Sequence, residues 1–142
     1  MELQRIINVL MQNSRIFKEF AEEEMFDILQ FCKSKSFKDG DIILKENTKG
    51  SDFFIIVTGS AIIKKEGKVI DVLHSGECFG EMGALSDIKR SASIASKGDT
   101  VLLDIDIERL EVLKMEIQLK LYKNIALVLA ERLRKRIEDI VH

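Results

Sequence analysis

The chain has 142 residues and a net charge of −2, with 46% of residues apolar and 32% charged. That length suits one compact domain with a real core and is short for two, and the near-neutral charge lacks the footprint of a non-specific nucleic-acid binder. The longest apolar runs, such as Ile125-Ala126-Leu127-Val128-Leu129-Ala130, are too short for a bilayer span, and Met1-Glu2-Leu3-Gln4-Arg5 does not open a secretory signal.

Residues 1–32 read as helices. Leu3, Ile6, Ile7 and Leu10 recur at helical spacing, and a break follows at Asn13-Ser14. The acidic run Glu22-Glu23-Glu24 suits a second helix start, ahead of Met25, Phe26, Leu29 and Phe31. The aromatics Phe17, Phe20, Phe26 and Phe31 are expected to pack against a sheet.

Residues 33–106 change character to short strands and turns. The predicted strands include Ile42-Ile43-Leu44, Phe53-Phe54-Ile55-Ile56-Val57, Ala61-Ile62-Ile63, Val69 to Leu73, Ala92 to Ala95 and Val101 to Ile105. Turn signals stand at Asp39-Gly40-Asp41, Gly59, Glu66-Gly67-Lys68 and Lys97-Gly98-Asp99. Seven or eight strands with no long helix between them predict a mainly β fold with flanking helices, an antiparallel β-roll or jelly roll.

Residues 107–142 return to helix. Asp106 is the predicted N-cap of a short helix to about Lys114, and a long C-terminal helix runs to about Val141. On the long helix Tyr122, Ala126, Leu129, Leu133, Ile137 and Ile140 form a heptad-like stripe, with Leu121, Ile125 and Val128 as a second strip in its first half. Core packing and a homodimer seam are both open for the main stripe. The basic residues Arg132, Arg134, Lys135 and Arg136 read as a solvated face.

One stretch carries chemistry. Phe79-Gly80-Glu81-Met82-Gly83-Ala84-Leu85-Ser86 is a glycine-opened turn into one helical turn, whose unpaired N–H groups suit an anion. Arg90, ahead of Ser91-Ala92-Ser93, adds a planar cationic fork for phosphate. Glu81 can only accept hydrogen bonds when ionised, so it suits a hydroxyl. Phosphate and sugar hydroxyl side by side describe a nucleotide. No histidine or carboxylate cluster has metal spacing, and no nucleophile is paired with a base, so neither a metal nor an enzyme is expected. Cys32 and Cys78 read as buried, reduced thiols of a cytoplasmic protein.

Asp39-Gly40-Asp41-Ile42-Ile43, Phe53-Phe54-Ile55-Ile56 with Gly59, Gly76, and then Phe79-Gly80-Glu81 and Arg90-Ser91-Ala92 resemble the cyclic nucleotide-binding domain family. The likeness to the sensor domain of the bacterial catabolite activator protein covers nearly the whole chain, read as a single domain 1–142 with its phosphate-binding cassette at 79–93. The resemblance implies a stand-alone sensor of cAMP, with cGMP as the alternative. It implies that Arg90 and Ser91 hold the cyclic phosphate, that Glu81 accepts from the ribose 2′-hydroxyl, and that Gly80 lets the backbone approach the sugar. Met82, Gly83, Ala84 and Leu85 would form the small helix facing the phosphate, between Phe79 and Ala92 at the cassette's two ends. Lys89 stands where many members have proline, and Arg136 and Ile137 stand where the catabolite activator protein reads adenine. Arg136 offers a guanidinium that can stack on a purine. Members that bind DNA continue into a helix-turn-helix, which a chain stopping at His142 lacks, so no DNA partner is expected, nor a membrane. The downstream protein is unidentified. The rival reading is a nucleotide-independent dimerisation or interaction module on the same scaffold.

Overall fold

The computed structural model describes residues 2–50, 52–80 and 92–141. Helix α1 (Leu3–Asn13) buries Ile6, Ile7 and Leu10, the predicted stripe. Helix α2 (Glu22–Leu29) starts where the acidic run predicts. Glu24 reaches back to accept a hydrogen bond from the Ala21 N–H at 2.8 Å, satisfying a donor that the first helical turn leaves orphaned. Phe17 and Phe20, on the connection between the helices, are buried with ring centroids 5.6 Å apart. Phe31 is partly buried against the core, whereas Phe26 is exposed and not part of that cluster.

Six strands among the described residues form one antiparallel sheet: β1 (Cys32–Phe37), β2 (Ile42–Leu44), β3 (Asp52–Lys65), β4 (Lys68–His74), β5 (Cys78–Phe79) and β6 (Ser93–Asp106). The main path runs β1-β6-β3-β4, with β2 added to β6 and β5 to β3. The antiparallel β-roll flanked by helices is therefore as expected, but the strand count is not. Gly59 and Gly98 interrupt no strand. They lie inside β3 and β6, each of 14 residues, and the segments predicted on either side of each glycine are continuous.

Gly59 has a larger effect than dividing a strand. At φ +90° it creates a bulge, and β3 changes register against β6 around it. Phe54 lies opposite Asp104 before the bulge and Ile63 opposite Ile94 after it, a displacement of one residue. One residue is half the side-chain period, so the faces exchange. Before the bulge the even-numbered Phe54 and Ile56 point into the roll while Phe53, Ile55 and Val57 meet the helices. After it the odd-numbered Ala61 and Ile63 occupy the roll interior. A Cβ at Gly59 would lie 2.4 Å from the Asp99 carbonyl oxygen, so no other residue fits. Gly76, at φ +88°, is held as closely: its Cβ would stand 2.2 Å from the Asn13 carbonyl oxygen, where the β4–β5 turn rests on the end of α1.

After β6 the Asp106 side chain caps a 3₁₀ helix (Ile107–Val112) by accepting from the Glu108 N–H at 3.1 Å. Helix α3 (Met115–Val141) follows. Its core face is Ile117, Leu121 and Ile125, buried against α1, α2 and the outer face of β3, with Val128 packed at the edge. The strip that ranks second in the sequence pattern is thus the one that packs inward. On the main predicted stripe Ala126, Leu133, Ile137 and Ile140 are exposed. One sheet face therefore packs on the helical layer, and the other encloses a second apolar cluster of Phe54, Ile56, Ala61, Leu73, Phe79, Ile94 and Leu102.

Candidate functional site

The second cluster includes Phe79 and Ile94, at and beside the two described ends of the predicted cassette. Phe79 is buried and stacks on Phe54 with centroids 5.2 Å apart and an interplanar angle of 20°. The two residues are also register partners, so the start of the cassette is fixed by backbone pairing and by ring contact together. Gly80 follows at φ +83°. At the far end Ala92 is half-buried in a bend, and Ser93 pairs with Lys64. Both feet of the cassette thus stand on β3, one on each side of the Gly59 bulge. Of the predicted ligand-contacting residues, Phe79, Gly80 and Ala92 are among the described residues, at the two ends of the predicted cassette. Glu81, Met82, Gly83, Ala84, Arg90 and Ser91 lie outside the described residues.

Each foot has a second support that the sequence reading missed. Arg132 on α3 donates to the Cys78 carbonyl oxygen at 2.7 Å and lies 3.7 Å from its Sγ, joining the long helix to the residue before Phe79. The other foot is supported by the β2–β3 loop. The Glu46 backbone N–H donates to Ser93 Oγ at 3.0 Å, while the Glu46 carboxylate accepts from the Glu66 N–H at 3.3 Å. Nothing in the sequence signals Glu46, because the donor is a backbone group that almost every residue carries. Arg132 lies one turn before the Arg136 and Ile137 pair singled out by the resemblance, and both of those are exposed.

Several contacts hold α3 against the N-terminal helices. Asn124, buried, donates to the Ile16 carbonyl at 2.7 Å, and Arg15 pairs with Glu131. Lys120 meets Glu24 at 2.8 Å and lies 5.0 Å from the centroid of the Phe20 ring. The hydrogen bond from Lys120, with that from the Ala21 N–H, holds the Glu24 carboxyl below its ordinary range. Past Arg132 the helix is exposed on every side. Beside this junction a cleft of about 310 Å³ opens between Asn13–Ile16, Ser75–Cys78 and the Val128–Lys135 turns of α3.

Near the first foot, Asp104 is buried and paired with Lys35 at 2.6 Å. Asp52 sits beside it on β3, and burial, followed by its hydrogen bond with Asp104 and the charges of Asp104 and Asp106, pushes its carboxyl up to about 6. Cys78 is buried as expected, but Cys32 is only partly so. Burial, with Asp104 adding to it, pushes the Cys32 thiol up to about 12, so it stays protonated. No group of three metal-ligating side chains exists among the described residues, and no helix among them is long and apolar enough to cross a membrane.

Residues 34–116, more than half of the chain, match the family model of the cyclic nucleotide-binding domain. The chain belongs to that family. The match begins in β1, takes in both feet of the cassette and ends at the first turn of α3. The cGMP-dependent protein kinase of Eimeria tenella is 33% identical over 113 residues, covering 80% of this chain and 11% of the kinase. The cAMP-dependent protein kinase regulatory subunit of Dictyostelium discoideum is 25% identical over 122 residues, covering 73% of this chain and 37% of the subunit. Among solved structures, the catabolite activator protein of Thermus thermophilus aligns at TM-score 0.78 with 27% identity, over 89% of this chain and 62% of that one. The chain therefore spans well under half the length of these two curated relatives. Its family is a ligand-binding one, and the kinases among its relatives are far larger proteins.

Proposed function

We propose that this domain, spanning 1–142 as one unit, is a cyclic nucleotide sensor that binds rather than catalyses. In this reading Arg90 and Ser91 hold the cyclic phosphate, Glu81 accepts from the ribose hydroxyl, and Gly80, Met82, Gly83 and Ala84 form the backbone cradle between Phe79 and Ala92. The observation that supports it is how the two described ends of the motif are held within a chain that matches the cyclic nucleotide-binding family. Phe79 and Ser93, at the ends of the motif, pair with β3 on either side of Gly59, and Phe79 belongs to the apolar cluster inside the roll. The ligand is cAMP, with cGMP as the alternative; both nucleotides occur in the names of the relatives.

Coupling follows from Arg132. A cassette drawn toward a phosphate pulls on Phe79 and Cys78, and the Cys78 carbonyl is the acceptor that Arg132 of α3 uses. The part of α3 beyond Arg132 has no other support from its own domain among the described contacts, so it is the segment that responds and that a downstream protein reads. A ligand biases such a movement only through better contacts in one state than in the other.

Titration calorimetry with cAMP and cGMP tests the reading. Micromolar binding, roughly −8 kcal/mol, is expected for the preferred nucleotide. Arg90→Ala should abolish most of it, because the phosphate loses its charged, bidentate donor. Ligand at a hundred times its dissociation constant should add about 2.7 kcal/mol to stability. No thermal shift with either nucleotide would favour the interaction-module alternative.

A second proposal rests on the outer face of α3. Leu133, Ile137 and Ile140 are 62%, 53% and 84% exposed, on a helix whose opposite face already fills the core, and they suit a seam with a second copy. Sedimentation of Leu133→Asp/Ile137→Asp should show monomer at concentrations where wild type is a dimer.

A further inference from the structure

The cassette's two feet differ in how they are held. At the first, β5 pairs with β3 through Ile55–Cys78 and Phe54–Phe79 only, and α3 supports it through Arg132. At the second, β6 has β3 on one side, through Lys64 and Ser93, and the end of β2 on the other, through Leu44 and Ile94. Beyond that last β2 pair the chain turns at Lys45-Glu46-Asn47, with Asn47 at φ 67°. Glu46 is half-buried while both its neighbours are exposed.

Glu46 makes two contacts with segments remote in sequence. Its N–H donates to the Ser93 hydroxyl oxygen, 47 residues ahead, and its carboxylate accepts from the Glu66 N–H in the β3–β4 hairpin, 20 residues ahead. The hairpin is a two-residue turn at Glu66-Gly67 between paired Lys65 and Lys68, with φ of 52° and 80°, which fixes its geometry tightly. A loop tied to a rigid hairpin by its side chain therefore presents its backbone N–H to the residue where the cassette ends. Ser93 is two residues after Ser91 and three after Arg90.

We infer that Glu46 is a positioning residue for ligand binding: by bracing the β2–β3 loop on the β3–β4 hairpin, it holds Ser93, and through Ser93 the arginine end of the cassette. This rests on the cassette being the nucleotide site. The carboxylate acts through the loop rather than on the ligand, so its loss loosens where Arg90 and Ser91 are presented without removing either. Two properties follow. The effect depends on an acceptor at position 46, not on a charge. Glu46 and Ser93 act in series, so removing both costs no more than removing the more important one.

The test is nucleotide titration of the full chain carrying Glu46→Ala, Glu46→Gln, Ser93→Ala and the Glu46→Ala/Ser93→Ala pair. Amide hydrogen exchange of each ligand-free protein is measured alongside. Glu46→Ala and Ser93→Ala should each raise the dissociation constant about threefold to tenfold, the worth of one hydrogen bond. Glu46→Gln keeps an acceptor and should bind as wild type does, and the double variant should match the weaker single one. In the ligand-free state, exchange at residues 92–95 should quicken in Glu46→Ala and not in Glu46→Gln. Wild-type affinity in Glu46→Ala, with only a lowered melting temperature, would overturn the inference and leave a purely structural loop contact. Glu46→Gln binding as weakly as Glu46→Ala would overturn the acceptor mechanism. Wild type binding neither nucleotide would defeat the proposed function instead and the positioning role with it, while unchanged exchange at 92–95 would by itself exclude the brace.

Discussion

Replacing Gly59 by alanine should be among the most damaging single-methyl changes in this chain. An L-residue at left-handed φ costs about 1–2 kcal/mol before any contact is considered. The added Cβ would then stand 2.4 Å from the Asp99 carbonyl oxygen, 2.7 Å from Thr100 Oγ1 and 2.8 Å from Thr100 Cα. Two of those are backbone atoms, so β6 itself must move. Thr100 Oγ1 donates to the Ser60 carbonyl at 2.9 Å and Ser96 Oγ to the Gly98 carbonyl at 2.6 Å, and both side chains are buried where water cannot replace a lost partner. Losing one such bond adds about 0.5–1.5 kcal/mol, giving roughly 3 kcal/mol in all. For a domain of this size that is a fall in melting temperature of roughly 10 °C. Gly40→Ala is the control: Gly40 has φ +83° but nothing within 4 Å of an added Cβ, so it isolates the backbone term. Thermal melts by circular dichroism should place Gly59→Ala well below Gly40→Ala. If the two melt together, close packing at the bulge is not what fixes that residue.

Arg132→Ala leaves the Cys78 carbonyl without its charged donor and should cost about 1.5–3 kcal/mol. Hydrogen exchange should quicken over 130–141, and unchanged protection there would remove Arg132 from the coupling. Asp52 has its folded pKa raised to about 6, above the ordinary 3.8, so its protonated form favours the folded state. Its contribution is full below about pH 4 and lost as pH rises through about 6. Urea midpoints of wild type should therefore decline relative to Asp52→Asn across that window, and parallel curves would refute the assignment. Ile125→Ala, at a residue 2% exposed, should cost about 2–5 kcal/mol. Ile137→Ala should stay within about 0.5 kcal/mol in monomer at dilution. Comparable losses in both would mean that the two faces of α3 had been misread.

The roll was legible because its turns are spelled in residues with one mechanism each. Asp39-Gly40 and Glu66-Gly67 occur where the chain turns at positive φ, and apolar runs beside them become strands. What could not be read was whether such a glycine ends a strand or bends it. Gly67 turns a hairpin at φ +80° and Gly59 sits mid-strand at φ +90°. The difference lies in the partner: β6 pairs with β3 on both sides of Gly59, and a non-local pairing of this kind leaves no local mark. The proposed cassette stands out in the sequence through residue types that suit phosphate and sugar, and the structure describes its two ends. Its supports do not stand out, since Arg132 and Glu46 each use a backbone group of the roll, and backbone groups carry no sequence.

Helix α3 shows the limit of periodicity most clearly. Its two apolar strips, Leu121-Ile125-Val128 and the longer series from Tyr122 to Ile140, both repeat at three or four residues, and both satisfy a buried helix face. The longer and more regular one suggests itself as the core face, yet it is the shorter that packs inward. Two polar residues decide the matter. Asn124 must point to the Ile16 carbonyl and Lys120 to Glu24 and Phe20, and those requirements fix the rotation of the helix. With Asn124 inward, Leu121 and Ile125 are inward too, and Leu133, Ile137 and Ile140 turn out to solvent beyond the point where Arg132 grips Cys78. An apolar stripe longer than the core can use is what the proposed seam with a second copy would cover.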